Sequence, residues 1–159
     1  MKRHNLNDNF EKQIERYYQL WYDVRQLYDR WAKQHGTTYN AVTTIRTILK
    51  EEGHCTQKLI CDRQKLPKQT VNTILKDFQE RGYVSFSDLA ADKRNKLIFL
   101  TEQGRIYAKE ISAALYQKDF QVAKKMGLDR MEALIECLTL YAKYYHETDG
   151  IGDSVEIET

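Results

Sequence analysis

Lys68, Gln69, Thr70, Asn72, Thr73 and Lys76 share one stretch with Val71, Ile74, Leu75 and Phe78, and the two sets fall on opposite sides of a helical period. The apolar set can only be a buried face. The polar set has the side chains that read a duplex: Gln and Asn pair with adenine edges, Thr meets thymine methyls or phosphate, and Lys reaches guanine or phosphate. Taken alone, such a face is also what an ordinary solvated helix shows. A second cluster follows at Asp92, Lys93, Arg94 and Lys96. An Asp two residues before an Arg can pair with it and hold the guanidinium outward for a narrow minor groove, while the lysines supply phosphate contacts.

The elements between these clusters give them a common frame. Residues 56 to 101 divide into a short helix capped by Thr56, a turn at Lys65, and a longer helix opened by Pro67 in its first turn and closed by Gly82. Two alternating strands, Tyr83 to Ser87 and Lys96 to Leu100, then flank the LAADKRN tip. That order describes a winged helix-turn-helix, in which a basic helix and a basic hairpin grip neighbouring grooves of one duplex face.

Long helices flank this unit. The first is expected from about Asp8, capped by Asp8 with Glu11 as a capping box, to Gln34, and Gly36 ends it. Phe10, Ile14, Tyr17, Trp21, Val24, Tyr28 and Trp31 follow a heptad spacing, and Tyr18, Leu20, Tyr22 and Leu27 widen the seam round the helix. A second helix is expected from about Thr38 to Glu52, with Ala41, Val42, Ile45, Ile48 and Leu49 inward. A fifth, capped by Thr101, runs to Met126, and a sixth opens with a capping box of Asp129 and Glu132 and carries Met131, Leu134, Leu138, Tyr141 and Tyr145. So much apolar surface implies a homodimer seamed by Phe10, Ile14, Tyr17, Trp21, Leu134, Leu138 and Tyr141, or else packing of the first helix on the last within one chain. The fold class is mainly α with a small β wing. It forms one domain over 1–148, with dimerisation helices at 8–35 and 101–148 and the winged unit at 38–100. An acidic tail, expected to be disordered, follows at 149–159.

Composition bounds the function. The chain has 159 residues, one proline, seven glycines and a formal charge of +2. Five acids and no Lys or Arg lie in residues 147–159; without them 18 acids face 25 bases, so each of two such bodies would carry +7. No apolar run approaches the roughly 20 residues that span a bilayer, and the first ten residues lack the apolar stretch of a secretory signal, so a cytoplasmic protein with no membrane partner is expected. No nucleophile with a nearby base, phosphate-binding glycine loop or paired-carboxylate motif appears, which argues against an enzyme, and no cofactor or metal motif appears either. Of His4, His35, His54 and His146, only His54, beside Cys55, hints at a paired site.

From Thr56 to Gly104 the sequence resembles the MarR-type transcriptional regulators, through Gly82-Tyr83-Val84, the wing pair Asp92 and Arg94, and Leu100-Thr101-Glu102-Gln103-Gly104. Helix order extends the resemblance over 8–148. It implies a dimeric, sequence-specific regulator, most often a repressor, on a palindromic double-stranded operator, with binding altered by a small ligand or by oxidation. Lys68 to Lys76 match the family's base-reading face. The chain departs from the pattern at Gln64 and Lys65, where the family often has an apolar residue and Gly, and at Cys61, where Ala is common.

Family ligands lie between the dimer helices and the winged unit. There Tyr18, Tyr22, Tyr28 and Tyr107 are candidates to stack on a small aromatic ligand, or else are core rings. The hydroperoxide-sensing branch carries its cysteine in the first helix, and this chain has none there. Cys55, Cys61 and Cys137 leave redox sensing as an alternative without a matching residue. A winged-helix interaction module without operator binding is the other alternative.

Overall fold

The computed structural model describes residues 2–87 and 96–148. The wing tip with Asp92, Lys93 and Arg94, and the acidic segment 149–159, lie outside the described residues. Among the described residues the order is α1 (Lys2–Gln34), α2 (Tyr39–Lys50), α3 (Gln57–Gln64), α4 (Lys68–Glu80), β1 (Val84–Phe86), β2 (Ile98–Leu100), α5 (Glu102–Met126) and α6 (Leu128–Thr148). The chain divides into two compact units, Met1–Ser112 and Ala113–Thr159. No described helix is long and apolar enough to cross a membrane.

In the first unit, Val42, Ile45 and Ile48 of α2, Ile60 of α3, Val71, Leu75 and Phe78 of α4, and Val84 and Ile98 of the wing are buried together with Ala108 and Ile111 of α5. Full burial of each large side chain contributes about 1.5–3 kcal/mol, so this set fixes the attitude of α4 relative to the wing. The strands pair antiparallel, with Val84 opposite Leu100, Ser85 opposite Phe99 and Phe86 opposite Ile98. Cys55 O accepts from Ile98 N at 2.8 Å, which ties the approach to α3 onto the hairpin.

Local chemistry sets most boundaries as expected. Thr38 caps α2 by accepting from Ala41 N at 3.2 Å, and Thr56 caps α3 by accepting from Leu59 N at 3.2 Å. Thr101 Oγ1 accepts from Gly104 N at 3.0 Å and donates to Gly82 O at 2.6 Å, so one hydroxyl caps α5 and pins the end of the α4 turn. Gly82 itself takes φ +69°, a conformation that only glycine adopts cheaply.

Three boundaries differ. Helix α1 starts at Lys2 and runs through Asp8, which is therefore no cap; residues 2–7 contain no Gly or Pro, and propagating a helix costs less than starting one. Pro67 stands one position ahead of α4, at φ −58° and ψ 141°, where its carbonyl accepts from Val71 N at 3.2 Å. Asp129 lies in the first turn of α6 instead of capping it: Gly127, at φ +84°, turns the chain alone and Leu128 enters the helix directly.

The long seam of α1 is also split. Phe10, Ile14, Trp21 and Val24 are exposed, but Trp31 is buried, with only 8% of its surface exposed, and stacks on His35 at 4.2 Å between ring centroids. The last position of the heptad series therefore belongs to the core of the first unit. Periodicity shows that a face is apolar and cannot say what covers it.

Candidate nucleic-acid interface

Helix α4 presents the face its sequence pattern implies. Val71, Ile74, Leu75 and Phe78 are buried, whereas Lys68, Gln69, Asn72, Thr73 and Lys76 are exposed and Thr70 is half-buried. Gln69, Asn72, Thr73 and Lys76 follow i, i+3, i+4, i+7 and share one stripe. Thr73 Oγ1 donates to Gln69 O at 3.0 Å, which occupies its hydroxyl proton within the helix. Lys76 Nζ lies 3.9 Å from Glu80, with both side chains largely exposed; such a pair is screened and leaves the ammonium available to a phosphate. Lys96, just ahead of β2, is exposed as well.

The turn that aims α4 is built from two residues that depart from the familiar pattern. Lys65 ends α3 at φ 52°, and among the described residues it is the non-glycine residue in the left-handed region. An L side chain there costs about 1–2 kcal/mol. Lys65→Gly is expected to raise stability by about 0.5–1 kcal/mol, because relief of that strain exceeds the entropy glycine adds to the unfolded chain. A urea midpoint that falls instead would mean the lysine side chain holds the turn.

Gln64 supplies the second device. Its Oε1 accepts from Thr43 Oγ1 at 2.9 Å and from Thr44 Oγ1 at 3.3 Å, and its Nε2 donates to Thr47 Oγ1 at 2.9 Å. Three threonines of α2 thus enclose one carboxamide, and Thr44 is fully buried. An apolar turn residue would leave that hydroxyl without this partner. Gln64→Leu is expected to cost about 2 kcal/mol by urea unfolding, the usual penalty for orphaning a buried polar group. No change would show that Thr44 turns to a carbonyl of its own helix. The signal for this network was present as the TTIRT spacing on α2, but nothing local links it to Gln64.

A third device joins α5 to the winged unit. Arg105 holds both carboxylate oxygens of Glu52, and that hydrogen bonding keeps the Glu52 carboxyl below its ordinary range. Tyr107 stacks on Tyr83 with centroids 4.5 Å apart and planes at 13°, so its ring already serves the junction of wing and α5. Tyr28 packs on Tyr39 at 4.8 Å, while Tyr18 and Tyr22 are exposed on α1. Tyr107 and Tyr28 therefore already have aromatic neighbours of their own.

The cysteines differ in chemistry. Cys55 is buried, and desolvation followed by the nearby Glu51 charge pushes its thiol up to about 12, so it stays protonated at neutral pH. Cys61 is half-buried on α3, and Cys137 is exposed on α6. Among the described residues no group of three or more His, Cys, Asp or Glu side chains is placed to hold a metal ion.

A sequence profile of the MarR family matches residues 35–95. The HTH-type transcriptional regulator SarZ of Staphylococcus haemolyticus is 30% identical over 105 residues, which cover 64% of this chain and 70% of that protein. The solved structure of a MarR family regulator from Neisseria meningitidis superposes with a TM-score of 0.72 at 26% identity, covering 87% of this chain and 96% of that one. The S. aureus MepR–DNA complex superposes with a TM-score of 0.68 at 17% identity, covering 81% and 94%, a likeness of fold.

Proposed function

The chain belongs to the MarR family of transcriptional regulators, and from that premise we propose that it works as a homodimer on a palindromic operator, as a repressor whose DNA binding a small ligand alters. The observation that carries the reading is α4, whose four apolar side chains are buried while Lys68, Gln69, Asn72, Thr73 and Lys76 stand exposed on its other side. That helix enters the major groove, Gln69 and Asn72 meet base edges, and Lys68 and Lys76 engage phosphate. Asp92, Lys93 and Arg94 of the wing, with Lys96, reach the adjacent minor groove and backbone. The MepR structure, of the same fold, is a complex with DNA, which supports this use of the scaffold.

Exposed apolar side chains on α1 (Phe10, Ile14, Trp21) and α6 (Leu134, Leu138), with Tyr17 and Tyr141 on the same faces, support the dimer. Single scattered apolar residues need no explanation, but a run at helical spacing over several turns is a face without cover.

Selection of the purified protein against a randomised duplex library at physiological salt tests the proposal. Recovery of an inverted repeat with half-sites about one helical turn apart is expected, with affinity falling steeply as salt rises. Recovery of no motif would discard operator binding and leave a winged-helix interaction module.

A further inference from the structure

Arg46 and Lys50 stand one turn apart on α2, and with Arg63 of α3 and Ser112 of α5 they line a groove of about 450 Å³ within the first unit. Its chemistry is one-sided. Three cations and no carboxylate line it, and no aromatic ring does; Leu49 is its apolar side chain. Arg63 pairs with Glu51 at 2.9 Å, but among the described residues neither Arg46 nor Lys50 has an ion-pair partner. Like charges four residues apart on a helix repel, so this pair weakens α2 unless an anion joins it. Ser112 adds a second, independent sign: its Oγ is enclosed and makes no hydrogen bond to any described residue. Enclosed hydroxyls without a partner are uncommon, and this one lies at the wall of the same groove.

We propose that the groove binds a compact polyanion, a small molecule carrying two or more phosphate or carboxylate charges. Arg46 and Lys50 hold one anionic group, and Arg63 reaches a second while keeping Glu51. Ser112, whose Oγ is enclosed in the free chain, donates to an anion oxygen once a χ1 rotation turns it into the groove. A monoanionic aromatic acid suits the groove poorly, since it offers one charge to three cations and finds no ring to stack on. Such a ligand would bridge α2 and α3, which carry the Gln64–threonine network behind the turn into α4, to Ser112 near the middle of α5. The regulatory consequence rests on the reading of the chain as a ligand-altered regulator, whereas the site rests on its own geometry.

The test is calorimetric titration of the full chain with pyrophosphate, citrate and salicylate at fixed ionic strength, against an Arg46→Gln/Lys50→Gln double variant. Both residues are exposed, so the variant is expected to fold, which circular dichroism checks. Pyrophosphate or citrate should bind the natural chain, bind the variant at least tenfold more weakly, and resist displacement by salicylate. Equal affinity for both proteins, or no binding of either polyanion, would overturn the proposal. A parallel titration of both proteins with the selected duplex separates the two readings. Polyanion binding lost in the variant, in a chain that binds no duplex, upholds the groove and removes the regulator reading. A variant that loses duplex affinity while pyrophosphate is silent with the natural chain assigns the cations to DNA phosphate and overturns the small-ligand site.

Discussion

Gly104→Ala is expected to destabilise the winged unit by about 3–5 kcal/mol, at the far end of what one methyl group can do. A Cβ at this position would overlap Tyr83 O and lie 2.6 Å from its carbonyl carbon and 2.9 Å from its Cα. The obstacle is backbone, and backbone that cannot withdraw cheaply: Tyr83 O accepts from Thr101 N at 3.0 Å, and Tyr83 N donates to Phe78 O at 2.8 Å. Tyr83 also stacks on Tyr107, one turn along α5 from Gly104. Relief of the overlap must therefore move α5 away from the end of α4, breaking the Thr101 bridge to Gly82 on the way. Urea unfolding monitored by circular dichroism is the check, with DNA affinity falling in parallel as the wing loses its fixed distance from α4. An unchanged midpoint would show that α5 slides without cost, and would remove the role assigned to this close approach.

That junction also marks how far the amino-acid sequence could be read unaided. The α4 face was legible because Val71, Ile74, Leu75 and Phe78 obey a local period, and the Thr101 cap was legible because its hydroxyl accepts from Gly104 N, three residues on. Local signals failed where a competing interaction decides. Asp8 and Asp129 are good caps in isolation, yet α1 continues past the first and Gly127 turns the chain before the second. Trp31 fits a heptad and is nonetheless core, since periodicity carries no information about the covering surface. Gln64 was visible as a departure in the turn, but its meaning lies 17 to 21 residues away on α2, at Thr43, Thr44 and Thr47. The Arg46, Lys50 and Arg63 groove is likewise an assembly from three helices, invisible until α2, α3 and α5 are brought together.

Trp21→Asp is expected to convert a homodimer into a monomer and, with it, to lower operator affinity by orders of magnitude. Trp21 is 52% exposed in the single chain, so a carboxylate there remains solvated in the monomer and costs the protomer fold little. In a dimer seamed through α1 the same carboxylate would be buried against apolar neighbours such as Ile14 and Phe10, without a partner charge, a penalty of several kcal/mol applied twice by symmetry. That asymmetry makes the variant informative: protomer stability should hold while association fails. DNA affinity follows because two half-sites held together gain from effective concentration, whereas a single α4 with its wing engages only half the repeat. Size-exclusion chromatography with light scattering reads the mass, and anisotropy with the selected duplex reads the affinity. Leu138→Asp, on α6 at 41% exposure, repeats the experiment on the other unit. A dimer that survives Trp21→Asp but not Leu138→Asp would move the seam to α6 alone. A dimer that survives both would place it on neither face and leave the apolar surface of α1 for another occupant.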